Sequence, residues 1–144
     1  MTATRNTHAQ GQHARPRTIG PLWLLYLCDA GLLVASGLIH LHLWDIAYRH
    51  VQTMGPLFLV QAAACLLAAA ALLVTRHFLV AVGAALLMAG TAICFVLART
   101  VGLLGFHLPF TSGLAVTVLV IEIVAVALLG LTALLMPKAS RSAG

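Results

Sequence analysis

The sequence predicts an all-α fold: a bundle of four transmembrane helices with its N-terminus and C-terminus both cytoplasmic. Three observations lead there. Of 144 residues, 62% are hydrophobic and only 8% charged, with a mean hydropathy of +1.06. Soluble domains carry about a quarter charged residues, and a fold this small has too much surface to hide so much apolar side chain. The apolar residues also gather into four runs of about 20 residues or more, each long enough to cross roughly 30 Å of hydrocarbon as a helix. Finally, a strand crossing alone would leave its backbone groups unpaired in lipid, so the runs must be helical.

Taken in order, the chain divides into a cytoplasmic tail (1–20), a transmembrane domain (21–136) and a second cytoplasmic tail (137–144). The first tail, MTATRNTHAQGQHARPRTIG, is polar and aperiodic and reads as disordered, with His8 and His13 as solvated histidines. The first span covers 21–44. Arginines precede it, but its apolar stretch exceeds the 7–15 residues (roughly) of a signal-peptide core, so it is expected to stay uncleaved. Cys28 in LLYLCDAG follows the bulky Tyr26 and Leu27, where a lipoprotein signal normally has small residues. A loop over 45–54 leads to the second span, 55–75, in which Gly55-Pro56 suits a helix start. Arg76-His77 is so short a break that the third span, 78–98, must return as a tight hairpin. A loop with glycines and Pro109 then leads to Ser112, a candidate cap, and to the fourth span, 113–136.

Orientation follows from the basic residues. With the N-terminus inside, the cytoplasmic segments hold Arg5, Arg15, Arg17, Arg76, Lys138 and Arg141, and the outer loops only Arg49 and Arg99. That bias predicts a multi-pass protein of a bacterial inner (plasma) membrane. The net charge of +5 is scattered and lacks a basic-aromatic module. It therefore speaks for contacts to lipid headgroups, with no nucleic-acid partner.

The ionisable chemistry is concentrated in SGLIHLHLWDIAYRH, residues 36–50. At about 100° per residue, Asp29, Ser36, His40 and Trp44 share one face of the first helix, and His42 points away. The His-x-His spacing therefore cannot place both rings on one ion. Glu122 lies near the middle of the last span in VLVIEIVAV. An acid in hydrocarbon must be protonated, paired or facing a wet crevice, and is a functional candidate by default. Counting rise puts Glu122 about 14 Å and His40 about 6 Å below the outer boundary. Side chains could bridge that difference, and Arg99 could reach inward along its stem. The expected intramembrane cluster is thus His40, Arg99 and Glu122, with Asp29 and Ser36 on the same stripe as His40. The outer loops add Asp45, Arg49, His50 and His107, beside an aromatic belt of Trp44, Tyr48, Phe58, Phe106 and Phe110.

No cofactor is predicted. A bis-histidine haem b needs two imidazoles from different helices at matching depth. Only His40 is well placed; His50 and His107 are in loops and His77 lies at the opposite side. Copper or zinc meets the same shortage of ligands. The sequence has no nucleotide loop, Ser-His-Asp spacing or HExxH motif, so no enzyme is predicted. Cys28, Cys65 and Cys94, odd in number and each within an apolar run, are expected to pack as buried small hydrophobes. Alanines and glycines in QAAACLLAAAALL, and Gly31, Gly37, Gly83 and Gly90, favour close helix contacts and a small, weakly polar interior.

Two stretches carry a resemblance. IHLHLWDIAYRHVQTMGPLFLVQA, and LARTVGLLGF followed by a helix with Glu122 at its centre, resemble small four-helix membrane proteins of actinobacteria that lack an assigned activity. In those proteins R-T-x-G-L tends to run on into proline and an acidic residue; Leu104-Gly105 and Ser112-Gly113 stand here instead. The resemblance implies the four-helix fold, a membrane location and importance for His40, Arg99 and Glu122. The function expected is a non-enzymatic accessory or sensor component of a membrane complex, or a homo-oligomer in the lipid bilayer. Two alternatives stand beside it. One is a haem- or metal-handling redox protein using His40, and the other a small proton-coupled transporter using Asp29 and Glu122.

Overall fold

A computed structural model describes residues 20–102 and 113–136. Every apolar run is helical: α1 (Pro21–Leu43), α2 (Met54–Thr75), α3 (Phe78–Thr100) and α4 (Gly113–Leu135), with a π-helical turn (Trp44–Tyr48) continuing α1. All four are long and apolar enough to cross a membrane, the first when counted through the π turn. The outer surface is as apolar as the core, with Leu67, Val74, Leu86 and Leu134 exposed. That inverts the polar-out pattern of a soluble bundle.

The helix ends correct the expected boundaries. The first helix does not stop at Trp44. The Trp44 N–H still donates back to His40 and Leu41 carbonyls, and the Arg49 N–H donates to the Trp44 carbonyl at 2.8 Å, five residues back. Ile46 and Ala47 extend the apolar run and nothing breaks it, so Asp45 is helical and not in a loop. Helix α2 starts one residue early, at Met54, and a Cβ on Gly55 would stand 2.7 Å from the Tyr48 carbonyl oxygen. Only glycine allows this approach of the α2 start to the π turn. Helix α3 runs on through Arg99 and Thr100, and Gly102 follows at a φ of 80°. Between α2 and α3, Arg76 turns the chain in the left-handed region at a φ of 49°. His77 then caps α3, its Nδ1 accepting from the Leu79 N–H at 3.3 Å.

Buried positions recur at 118, 122, 125, 129 and 132 on α4 and at 136 just past it, and at 26, 29, 33, 36 and 40 on α1, where Ala30, Gly37 and, on α4, Ala133 are buried beside them. Steps alternating between three and four residues mark the seam of gently supercoiled helices. Asp29, Ser36, His40, Glu122 and Thr132 are therefore seam residues, buried by position and not by polarity. Helix α1 packs along both α2 and α4, and α3 packs along α4. At Gly37 the α1 backbone comes so close to α2 that a Cβ would stand 3.2–3.3 Å from Ala62 and Cys65. By contrast, α2 and α3 touch sparingly, although a two-residue hairpin joins them. They diverge from that hairpin, and a cleft opens between them toward the end of the bundle that carries His40.

Candidate functional site: a buried His–Glu pair behind a lateral cleft

His40 is fixed by its own helix. Its Nδ1 lies 2.9 Å from the Ser36 carbonyl oxygen one turn back. A carbonyl only accepts, so Nδ1 carries the proton and donates. The other nitrogen, Nε2, faces α4 and lies 3.9 Å from Glu122 Oε1. Glu122 has 0% exposure, and neither carboxyl oxygen has a hydrogen-bond partner among the described residues. Since direct N–H···O bonds need about 2.7–3.2 Å, the pair is aimed but not closed. With Nδ1 committed, the carboxyl and Nε2 are the two places where the pair can take up or release a proton. Closing it takes a side-chain shift of about 1 Å, or a polar atom bridging the two.

Thiol and thioether groups surround the pair on the α2 side. Cys65 Sγ lies 4.0 Å from Ser36 Oγ and 3.9 Å from Met88 Sδ, and Gln61 Nε2 donates to Cys65 Sγ at 3.4 Å. Ser36 Oγ is itself 3.5 Å from His40 Nδ1. A thin polar seam thus crosses the bundle through Gln61, Cys65, Ser36, His40 and Glu122.

Asp29 belongs to a different centre. It is fully buried, and Thr132 Oγ1 of α4 donates to its Oδ2 at 2.5 Å, while Oδ1 has no partner among the described residues. Ten residues of α4, about 15 Å of rise, separate Thr132 from Glu122, and fully buried Leu33, Ala125 and Leu129 are packed in the seam. The stripe read from the sequence therefore splits into two polar centres. Thr132 was missed because a single hydroxyl within an apolar run carries no signal.

The expected triad is not closed. The Arg99 guanidinium lies over the Phe95 ring at 4.6 Å, and no hydrogen bond from it reaches Glu122. The guanidinium gains from the ring face of Phe95, one turn back on α3, while Arg99 Nε itself is buried. Asp45, Arg49 and His50 form an exposed group of their own. Arg49 Nε donates to His50 Nε2 at 3.0 Å, and Arg49 Nη1 lies 3.5 Å from Asp45 Oδ1. His42 is exposed on the opposite side from His40. His107, Ser112, Phe106, Phe110, His8, His13 and the C-terminal tail lie outside the described residues. Among the described residues no three His, Cys, Asp or Glu side chains converge as a metal site would require.

The cleft between α2 and α3 has a volume of about 450 Å³. His40 forms its inner end, Phe58 and Gln61 of α2 one wall, and Thr91, Cys94 and Phe95 of α3 the other. Phe58 is tilted against His40 with centroids 5.4 Å apart and stacks on Tyr48 at 4.5 Å and 14°. This corrects two expectations. The interior is not uniformly small, because sequence adjacency of α2 and α3 does not make the halves away from their hairpin pack. Nor are all three thiols buried: Cys65 is, but Cys28 and Cys94 are exposed, Cys94 on the cleft.

Comparisons with protein families, with curated proteins and with solved structures find no match to the chain.

Proposed function

We propose that the chain is a multi-pass protein of a bacterial plasma membrane, both termini cytoplasmic, acting as a non-enzymatic accessory or sensor component of a membrane complex. Its responsive element is the His40–Glu122 pair. The four apolar helices and the arginine bias support the placement. The observation that carries the reading is the unpartnered carboxyl of Glu122, fully buried and facing His40 Nε2 across α1 and α4.

A purely structural acid would be satisfied, as Asp29 is on one oxygen by Thr132. A buried polar group left unsatisfied costs about 1–3 kcal/mol, so its retention favours a use for it. Uptake of one proton gives the pair two charge states: neutral imidazole facing a carboxylate without it, and with it either a carboxylic acid or an imidazolium–carboxylate ion pair. The two pull differently on the α1–α4 contact, which is how a local proton would become a change of helix packing.

The test is the pH dependence of thermal unfolding of the full chain in lipid nanodiscs, with an isotope-edited infrared band for the Glu122 carboxyl. A carboxyl band that changes with pH, together with a melting profile that loses its pH response in Glu122→Gln and His40→Gln, is the expected result. A band and profile indifferent to pH in the parent chain would defeat the reading. Gentle extraction followed by mass spectrometry should recover a second, different membrane protein; pH-driven solute flux into proteoliposomes would favour the transporter alternative instead.

A further inference from the structure

We propose that the lateral cleft between α2 and α3 binds a membrane-soluble quinone, a flat uncharged ring bearing carbonyl oxygens on an apolar tail. The inference rests on the membrane placement above but not on the pair's response to pH.

Access is the first argument. The lips of the cleft include Leu57 and Leu86, both exposed, on two helices that do not close against each other. A ligand therefore enters from the side, out of the hydrocarbon, and its tail can stay there. A volume of about 450 Å³ lies within the range of small-molecule sites, roughly 300–1,000 Å³.

Charge is the second. Among the described residues no Lys, Arg, Asp or Glu lines the cleft. A phosphate or carboxylate head would be stripped of water there with no cation among these lining residues, whereas a neutral carbonyl needs only donors. Gln61 supplies one: its amide has two N–H groups, and a single contact to Cys65 Sγ engages one of them.

Shape is the third. The His40–Phe58–Tyr48 ladder puts three rings in contact with one another along the lining of the cleft, an aromatic surface against which a planar ring can pack edge-to-face or tilted. An acyl chain gains nothing specific from such a wall. Polarity at the inner end comes from His40, which lines the cleft and has Glu122 on its far side, the carboxyl without a hydrogen-bond partner among the described residues. A ring bound there lies one side chain from that carboxyl.

Two glycines of α3 make the test clean. A Cβ at Gly83 or at Gly90 would meet no atom within 4 Å, but only Gly90 lines the cleft. Gly90→Phe therefore enters the cleft from a Cβ that meets no neighbour, Gly83→Phe is its matched control, and Gly90→Leu is a milder filler. The full chain in phosphatidylcholine nanodiscs is titrated with a labelled decyl-substituted benzoquinone, with unlabelled decylbenzoquinone and decanol as competitors. Saturable binding, displaced by the quinone and not by decanol, is expected in the parent chain and in Gly83→Phe. In Gly90→Phe and Gly90→Leu it should weaken at least about tenfold. Binding that ignores Gly90→Phe, or that only partitions without saturating, overturns the proposal, and equal displacement by decanol reassigns the cleft to acyl chains. Because Glu122→Gln leaves the cleft walls intact, loss of the pH response with quinone binding retained separates failure of the pair's role from failure of this proposal.

Discussion

At the scale of single residues, the two buried acids differ in how far their neighbours satisfy them. Asp29 depends on Thr132 for its one hydrogen bond. Thr132→Val should therefore leave a buried carboxyl wholly unpartnered and destabilise the chain by about 1–3 kcal/mol. Adding Asp29→Leu to Thr132→Val should recover most of that loss, since an apolar pair of similar bulk removes the penalty along with the bond. Denaturation midpoints of the two singles and the double give the coupling directly. Additive losses would mean that the Thr132 hydroxyl does not serve Asp29. His40, Ser36 and Asp29 were legible as a stripe because all three lie on one helix, where spacing fixes azimuth. Their partners were not. Thr132, Cys65 and Met88 come from other helices, and a lone threonine or cysteine in an apolar run looks like filling.

At the scale of elements, helix existence was legible and helix ends less so. Length and hydropathy set the four spans, but Trp44–Tyr48 extends the first because no breaker precedes Gly55-Pro56. The closest helix contact is α1 on α2, and it depends on Gly37. Its missing side chain is what lets Ala62 and Cys65 approach. Gly37→Leu should force the two helices apart and cost about 1–3 kcal/mol as overpacking. It should also disturb Ser36 and Cys65 at the same contact, so cysteine reactivity toward a small maleimide should rise at Cys65 in parallel with the fall in melting temperature. Unchanged Cys65 protection would show that the helices absorb the bulk without separating. Small residues were read from the sequence as packing signals, yet Gly83 and Gly90 face open space. The same residue type marks a contact at Gly37 and a vacancy at Gly31 of the same helix and at Gly83 and Gly90 of α3, and only the arrangement of helices distinguishes them.

At the scale of the whole molecule, the order of helices around the bundle is what the sequence withheld. Spans two and three were expected as a tight hairpin, yet α2 and α3 part company, and the main contacts are α1 with α2, α3 with α4 and α1 with α4. The depth count that brought His40 toward Glu122 needed this α1–α4 contact and had no means of deriving it. Orientation is a prediction at this scale. In a background carrying Cys28→Ala and Cys94→Ala, an impermeant maleimide applied to intact cells should label Gln52→Cys and spare Thr75→Cys. The reverse pattern would turn the cleft toward the inner leaflet and leave the helix arrangement untouched.

The π turn has a consequence of its own, in the grammar of insertions and deletions. Such a turn is an α-helix carrying one residue more than its hydrogen bonds require. Trp44–Tyr48 is therefore where the chain can lose a single codon and still close a regular helix. The loss would swing everything beyond it by about 100° relative to α1. Tyr48 would leave Phe58, and the Tyr48 carbonyl would leave the space that Gly55 keeps clear for it. One extra residue in the first span thus sets the bearing from which the second span sets out.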